Sequence, residues 1–355
     1  MQTRASSSAA ATFADDRRNR RWTARWLLLV ATLVFAMVVV GGATRLTESG
    51  LSITEWKPVS GAIPPLNDAQ WAAEFEAYKK IPEYIQEHAW MSLDDFKAIY
   101  WWEFGHRLLG RVIGLAYGLP FLWLLWRRRV PRGYGWRLTG LLALGGLQGA
   151  IGWWMVASGL VERTDVSHYR LAVHLTTALL IFAGLLWTAL DLTADRHRVP
   201  APTLRWPAAL FLLLLLAQVI MGAFVAGLNA GFAFNTWPLM GDSFVPPMLW
   251  DAALGWLNII ENPVAVQFIH RIVAYVLFVA GLWAIWRGWA SGIADVMVRA
   301  GLLGAALLLQ LVLGILTIVE GVPILLGVAH QGGAVVLLAA AVLYAHRGRD
   351  MRRVA

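Results

Sequence analysis

The chain has no cysteine among its 355 residues. That excludes disulfides, zinc–thiolate sites and iron–sulfur clusters. It is also poor in charge: Asp, Glu, Lys and Arg make up 15%, against about 25% in soluble domains. Apolar residues fill that place, at 58%, in runs that recur along the whole length. A soluble domain with one anchor is thereby excluded, and a polytopic membrane protein is indicated. The formal charge of +8 does not point to nucleic acid. The arginines cluster in short segments between apolar runs, which is the pattern of topology determinants. No cleavable signal peptide is expected, because "MQTRASSSAAATFADDRRNRRW" is polar and runs straight into an apolar span too long for a signal core.

The pattern predicts an all-α membrane protein with eight spans, at 26–44, 100–126, 137–158, 169–191, 206–226, 264–286, 299–319 and 323–345. Each is near the ~20 residues a helix needs to cross the hydrocarbon. The segments "RRNRRWTAR", "RRRVPRGYGWR", "DRHRVPAPTLR" and "HRGRDMRRVA" fall on one side of such a chain. The excess of positive charge makes that side the cytoplasm, with both termini there. The other side receives a long loop at 45–99 and a second near 227–263. "DAQWAAEFEAYKKI" in the first reads as a short surface helix.

The halves repeat. "FGHRLLGRVIGLAYGLPFLWLLWR" in span 2 is echoed by "FIHRIVAYVLFVAGLWAIWR" in span 6. Gln148 and Gly152 in span 3 match Gln310 and Gly314 in span 7, and His174 in span 4 matches His330 in span 8. With four spans in each half, the repeats are parallel, two four-helix bundles about an axis along the membrane normal. The domain plan is a disordered cytoplasmic segment 1–25, an N-terminal half 26–195, a C-terminal half 196–346 and a cytoplasmic tail 347–355.

Four histidines then share one depth. His106, His174, His270 and His330 each lie about seven residues, or about 10 Å, inside the outer end of their spans. Polar groups in lipid are normally paired or put to use. Two imidazoles on facing helices can supply both axial ligands of one haem iron. Copper or zinc would want more ligands close together, and a proton pathway would not need equal depth in both halves. His88, His197 and His346 read as solvated, and His168 as a bystander at the mouth of span 4.

The halves differ at one point. Glu103 lies three residues before His106, whereas the matching residue before His270 is neutral Gln267. A carboxylate at this depth is either used, as a proton acceptor or a stabiliser of positive charge, or tied in a salt bridge to Arg107 or Arg45. The two roles can coexist. Arg107 and Arg271 each follow a candidate ligand directly. They suit haem propionates, or else snorkelling to the nearby surface.

Together "GGATRLTESGLSITEWKPVSGAIPP", "EFGHRLLGR", "YRLAVHL", "NTWPLMG", "QFIHR" and "GVAHQ" resemble the haem A synthase (Cox15/CtaA) family, in its alphaproteobacterial and mitochondrial branch. The resemblance runs from span 1 to span 8. It implies an oxidoreductase of the bacterial inner membrane that turns the C8 methyl of haem O into a formyl group by successive hydroxylations, with oxygen derived from water. It further implies that His106 and His174 hold the substrate haem O, with Glu103 beside it, and that His270 and His330 hold a permanent haem b. Haem O synthase, the cytochrome oxidase assembly machinery and the lipid bilayer are the partners it implies, and it leaves a homo-oligomer open. Some bacterial members carry cysteine pairs in their outer loops; a thiol role cannot apply here. A di-haem b electron-transfer subunit linked to quinol would share the histidine pairs, and a transporter would share the repeat.

Overall fold

In the computed structural model, residues 2–161, 163–195 and 198–349 are described, with side chains from Asp16 onward. Among them there is no β-strand. Ten α-helices follow one another: α1 (Gln2–Leu46), α2 (Asp68–Tyr78), α3 (Leu93–Trp126), α4 (Gly135–Val156), α5 (His168–Thr193), α6 (Arg205–Gly227), α7 (Asn258–Glu261), α8 (Pro263–Trp289), α9 (Ala294–Val319) and α10 (Ile324–Arg347). The eight predicted spans fall on α1, α3, α4, α5, α6, α8, α9 and α10.

Seven of these helices are long and apolar enough to cross a membrane; α4 is not among them. At 22 residues α4 has the length. Its composition falls short, because six glycines, Arg137, Gln148 and three tryptophans dilute its apolar residues. Leucines such as Leu119, Leu122 and Leu213 face outward and exposed, as lipid-facing residues do. Helix rather than sheet is what lipid demands, since each helix satisfies its own backbone groups.

The structure corrects the sequence reading at both ends. From Asp16 on, the expected disordered segment is helical and packed. Trp22 stacks on Trp26 and Trp123, and Arg20 reaches the Tyr134 ring. These contacts bury Thr23 and Ala24. The remainder, 1–15, lies outside the described side chains. At the other end Arg347 is still within α10, buried and paired with Asp295; residues 350–355 lie outside the described chain. Helix α3 begins seven residues before the predicted span. Ser92 and Asp95 form a reciprocal capping box, which extends the helix into the outer loop.

In the N-terminal half α1 packs on α3 and α5, and α4 on α5; in the C-terminal half α8 packs on α6 and α9, and α10 on α9. The halves meet where α5 lies on α6 and α1 on α10. A separate apolar cluster sits over α3 in the 45–99 loop. It is built from Leu51 and Ile53, from Trp71, Phe75 and Tyr78 of α2, and from Phe96, Tyr100 and Phe104 of α3. This cap contains the predicted surface helix, α2, whose start is held by the Asn67 side chain accepting from the Gln70 N–H.

The joint between halves is tight. A Cβ on Gly227 of α6 would lie 2.5 Å from the Cβ of His168 and 2.7 Å from its Cα, whereas one on Gly145 of α4 would meet nothing. Small residues at membrane-helix crossings permit such approach. Gly227→Ala should therefore destabilise the protein by about 1–3 kcal/mol through overpacking. Thermal unfolding in detergent should show a lowered midpoint for Gly227→Ala and none for Gly145→Ala.

Candidate functional site

The four histidines divide into two pairs. His106 on α3 is within electrostatic range of His174 on α5, and His270 on α8 of His330 on α10. Each ring backs onto a glycine of a neighbouring helix. A Cβ on Gly41 would sit 3.3 Å from His106 Nε2, on Gly152 3.0 Å from His174 Cε1, on Gly222 3.2 Å from His270 Cε1, and on Gly314 2.8 Å from His330 Cε1. Any larger residue there would push the ring aside.

The glutamines matched in the sequence repeat have a common task. Gln148 Nε2 donates to the His174 carbonyl at 2.9 Å and lies 3.1 Å from its Nδ1. Gln310 Nε2 does the same to His330, at 3.0 and 3.2 Å. One side chain thus fixes the ring and the backbone of the same histidine. The first histidine of each pair is treated differently. Gln218 Nε2 lies 3.1 Å from His270 Nε2, leaving the buried His270 Nδ1 without a partner. Met37 occupies the corresponding place on α1, four residues before the glycine. Among the described residues, His106 makes no side-chain hydrogen bond.

These features fit a haem between each pair. All four residues are only partly buried although they lie among packed helices. Among the described residues no group of three or more His, Asp or Glu side chains is placed to hold a bare metal ion. Two ligands per site is the bis-imidazole arrangement of a haem iron.

Glu103 is buried in the cap and meets only donors. Its carboxylate accepts from Ser52 Oγ and the Ile53 N–H, both at 2.7 Å. It also accepts from Arg107, at 3.0 Å from Nε and 2.6 Å from Nη2. The salt bridge allowed by the sequence is formed, with Arg107 rather than Arg45. Arg107 also donates to the Ile53 and Glu55 carbonyls, so every guanidinium nitrogen has a protein partner. In the second half Gln267 donates to the Gly231 and Phe234 carbonyls. Arg271 donates to those of Phe234, Thr236 and Leu239, with its Nε left over. In both halves this i, i+4 pair ties down the segment that follows the first helix. Arg271 is buried, not snorkelling.

Arg45 serves the joint between halves. It pairs with Asp165 at 3.0 Å and donates to Asn229 Oδ1 and the Ala226 carbonyl. Two histidines read as solvated are buried. His346 lies 2.9 Å from Asp191, and His88 lies 2.8 Å from the Tyr78 hydroxyl. Both are held by partners far off in sequence, or by a loop fold, that no local pattern announces. His168 is buried against Tyr169 and Phe224, away from both histidine pairs. His197 lies outside the described residues. Ser52 and Gln218 carried no sequence signal of their own; aligning Gln218 with Met37 across the repeat would have exposed the difference.

A family model described as cytochrome oxidase assembly protein, COX15-CtaA, matches residues 24–342. The proteins named Heme A synthase from Rhizorhabdus wittichii, Parvibaculum lavamentivorans and Bradyrhizobium diazoefficiens are 53%, 51% and 53% identical to this chain. The alignments cover 93%, 93% and 94% of this chain and 95%, 95% and 92% of those relatives. The resemblance carried by the six sequence motifs is borne out, and the chain belongs to the COX15-CtaA family of cytochrome oxidase assembly proteins.

Proposed function

We infer that this chain is a haem A synthase, a membrane oxidoreductase that converts haem O to haem A. The observation that carries this is identity of about half to several proteins of that name over more than nine-tenths of the chain. The paired, glycine-backed histidines support it. A di-haem b subunit linked to quinol would use the same pairs, but its two sites would have no need of the Glu103/Gln267 difference, and none of these relatives bears such a name.

In this reading α4 crosses the membrane as the eighth span, and the halves 26–195 and 196–346 are two parallel four-helix repeats. The matching glycine and glutamine contacts of the two halves favour that arrangement. Both termini face the cytoplasm of a bacterial inner membrane, where haem O synthase supplies the substrate and oxidase assembly takes the product. A homo-oligomer is compatible with this reading.

Haem O is the substrate of the N-terminal half, bound by His106 and His174. Gly41 and Gly152 let the rings sit against α1 and α4, and Gln148 fixes the angle of His174. Glu103 stands three residues before His106 on α3 and is held by Ser52, Ile53 and Arg107; oxidation of the methyl builds positive charge beside it. A preorganised carboxylate stabilises such charge without reorganisation, and it can also take up a proton released there. Arg107 keeps Glu103 in place and anchors the 53–55 segment over the site. His270 and His330 would hold haem b, which supplies one-electron relay chemistry when bound. Arg107 and Arg271 stand next to the ligands, where the propionates of each haem would meet positive charge.

Pigment extracted from membranes containing the wild-type chain and haem O should include a formyl-bearing haem, separable by chromatography. His106→Ala and His174→Ala should abolish it and keep the haem b absorption, whereas His270→Ala and His330→Ala should lose the haem b band itself. Glu103→Gln should cut haem A formation about 100-fold or more with haem b retained. Normal haem A from the Glu103→Gln protein would remove Glu103 from the chemistry and leave it as a loop anchor.

A further inference from the structure

The outer cap holds a chain of polar groups that the histidine sites do not use. Glu83 is 4% exposed, and among the described residues it forms no salt bridge. Its Oε2 lies 3.0 Å from the Tyr78 hydroxyl, which is fully buried. The same hydroxyl lies 2.8 Å from His88 Nδ1, and His88 Nε2 lies 3.5 Å from the Glu48 carboxylate. The Glu48 side chain is 57% exposed. Carboxyl, phenol, imidazole and carboxylate thus follow one another from a buried point to water.

We propose that Glu83, Tyr78, His88 and Glu48 form a proton exit relay from the site beside Glu103 to the outer surface. The proposal rests on the haem O to haem A reading. Oxidising a methyl to a formyl group with water as the oxygen source releases four protons and four electrons. The cap that covers Glu103 lies between that residue and Glu48.

The groups alternate correctly as donors and acceptors. With Glu83 ionised the Tyr78 hydroxyl donates to Glu83 Oε2; once Glu83 carries a proton the hydroxyl turns, accepts from Glu83 and donates to His88 Nδ1, and the Nε2–H of His88 faces Glu48. One outward transfer breaks the O–H bond of Glu83 and forms one on Tyr78. The original Tyr78 O–H is broken as an N–H forms at His88 Nδ1. The His88 Nε2–H is broken as Glu48 gains a proton, which it yields to water. Glu83 is left as a carboxylate that again accepts from the Tyr78 hydroxyl; His88 returns to its Nε2–H tautomer by proton exchange with solvent before the next transfer, and no electron moves in these steps.

The surroundings of Glu83 suit the task. Burial pushes its carboxyl up to about 8, against the pull of the Tyr78 hydrogen bond. Asp165 from the α4–α5 connection, Glu103 from α3 and Glu48 from the α1–α2 connection act in the same direction as burial. Burial likewise raises Tyr78, with Glu83, Glu103 and Glu48 adding to it. The carboxyl therefore holds a proton near neutrality and gives it up slightly above, which is where a shuttle works best. Glu103 itself is bonded only to Ser52, Ile53 and Arg107. It reaches Glu83 and Tyr78 through its field rather than by a direct bond. Residues 84–88, the stretch leading to His88, form one turn of π-helix, a distortion frequent at functional sites.

The test uses the full-length protein in membranes, supplied with haem O, with haem A formation followed from about pH 6 to about pH 9. The wild-type rate should rise with pH and level off above about 8, where Glu83 is free to accept. Glu83→Gln should lose that dependence. Tyr78→Phe removes one oxygen and should slow turnover at least about tenfold at every pH, with haem b absorption and haem O binding unchanged. His88→Asn, nearer the surface, should slow turnover in the same way and serves if Tyr78→Phe does not accumulate. Wild-type rates and an unaltered pH profile in these variants would overturn the relay while leaving the enzyme assignment intact. A wild-type protein that leaves haem O unchanged would overturn the assignment on which the relay rests.

Discussion

The structure depends on the contact of an imidazole with a glycine. A ring that must project from one membrane helix between others needs a neighbour with no side chain. Gly41, Gly152, Gly222 and Gly314 provide that surface for His106, His174, His270 and His330. Without a hydrophobic driving force between helices in lipid, close packing is what holds them together. The glycines therefore both bring the helices near and set the tilt of the rings. Gln148 and Gln310 complete the arrangement at His174 and His330 by bonding both the ring and the backbone of the same residue.

The second constraint lies one turn outward. A histidine site near the ends of its helices is covered here by loop, and a cover made of loop has many backbone groups to satisfy. Each half answers with a pair four residues apart on the helix that carries its first histidine. Arg107 and Arg271 do similar work, gathering carbonyls of the overlying segment. Glu103 and Gln267 do opposite work. The acid accepts from a backbone N–H and the amide donates to backbone carbonyls. The difference between the halves is therefore built into how each loop is laid down, as well as into the charge at the site.

Much of this was legible in the residues. The apolar runs located the long helices to within a few residues, except where Ser92 and Asp95 carried α3 further out and where α1 starts well before residue 26. The four histidines, Glu103, Arg107 and Arg271 stood out because charged and polar groups are rare in spans. The pairing of Gln148 with Gln310 was visible, but its purpose was not, since repeat alignment shows equivalence and not contact. Invisible altogether were interactions between segments far apart in sequence: Ser52 on Glu103, Arg45 on Asp165 and Asn229, His346 on Asp191. The burial of Glu83 and His88 followed from the fold of an irregular loop, where no periodicity speaks. The helical continuation from Asp16 was hidden because its polar residues gain order from tryptophan stacking rather than from an apolar stripe.

Helix α5 carries more than its histidine. Just before its first turn, Asp165 is gripped by Arg45 and Asn229, from α1 and the end of α6. Near its last turn, Asp191 is gripped by Arg137 of α4, His346 of α10 and Arg349 beyond it. A single rod is thus pinned at both tips by acids that reach into each half, like an axle seated in two bearings. His174 hangs from the second turn of that rod. Any drift of α5 would be felt at once by the ring it bears and by the opposite half.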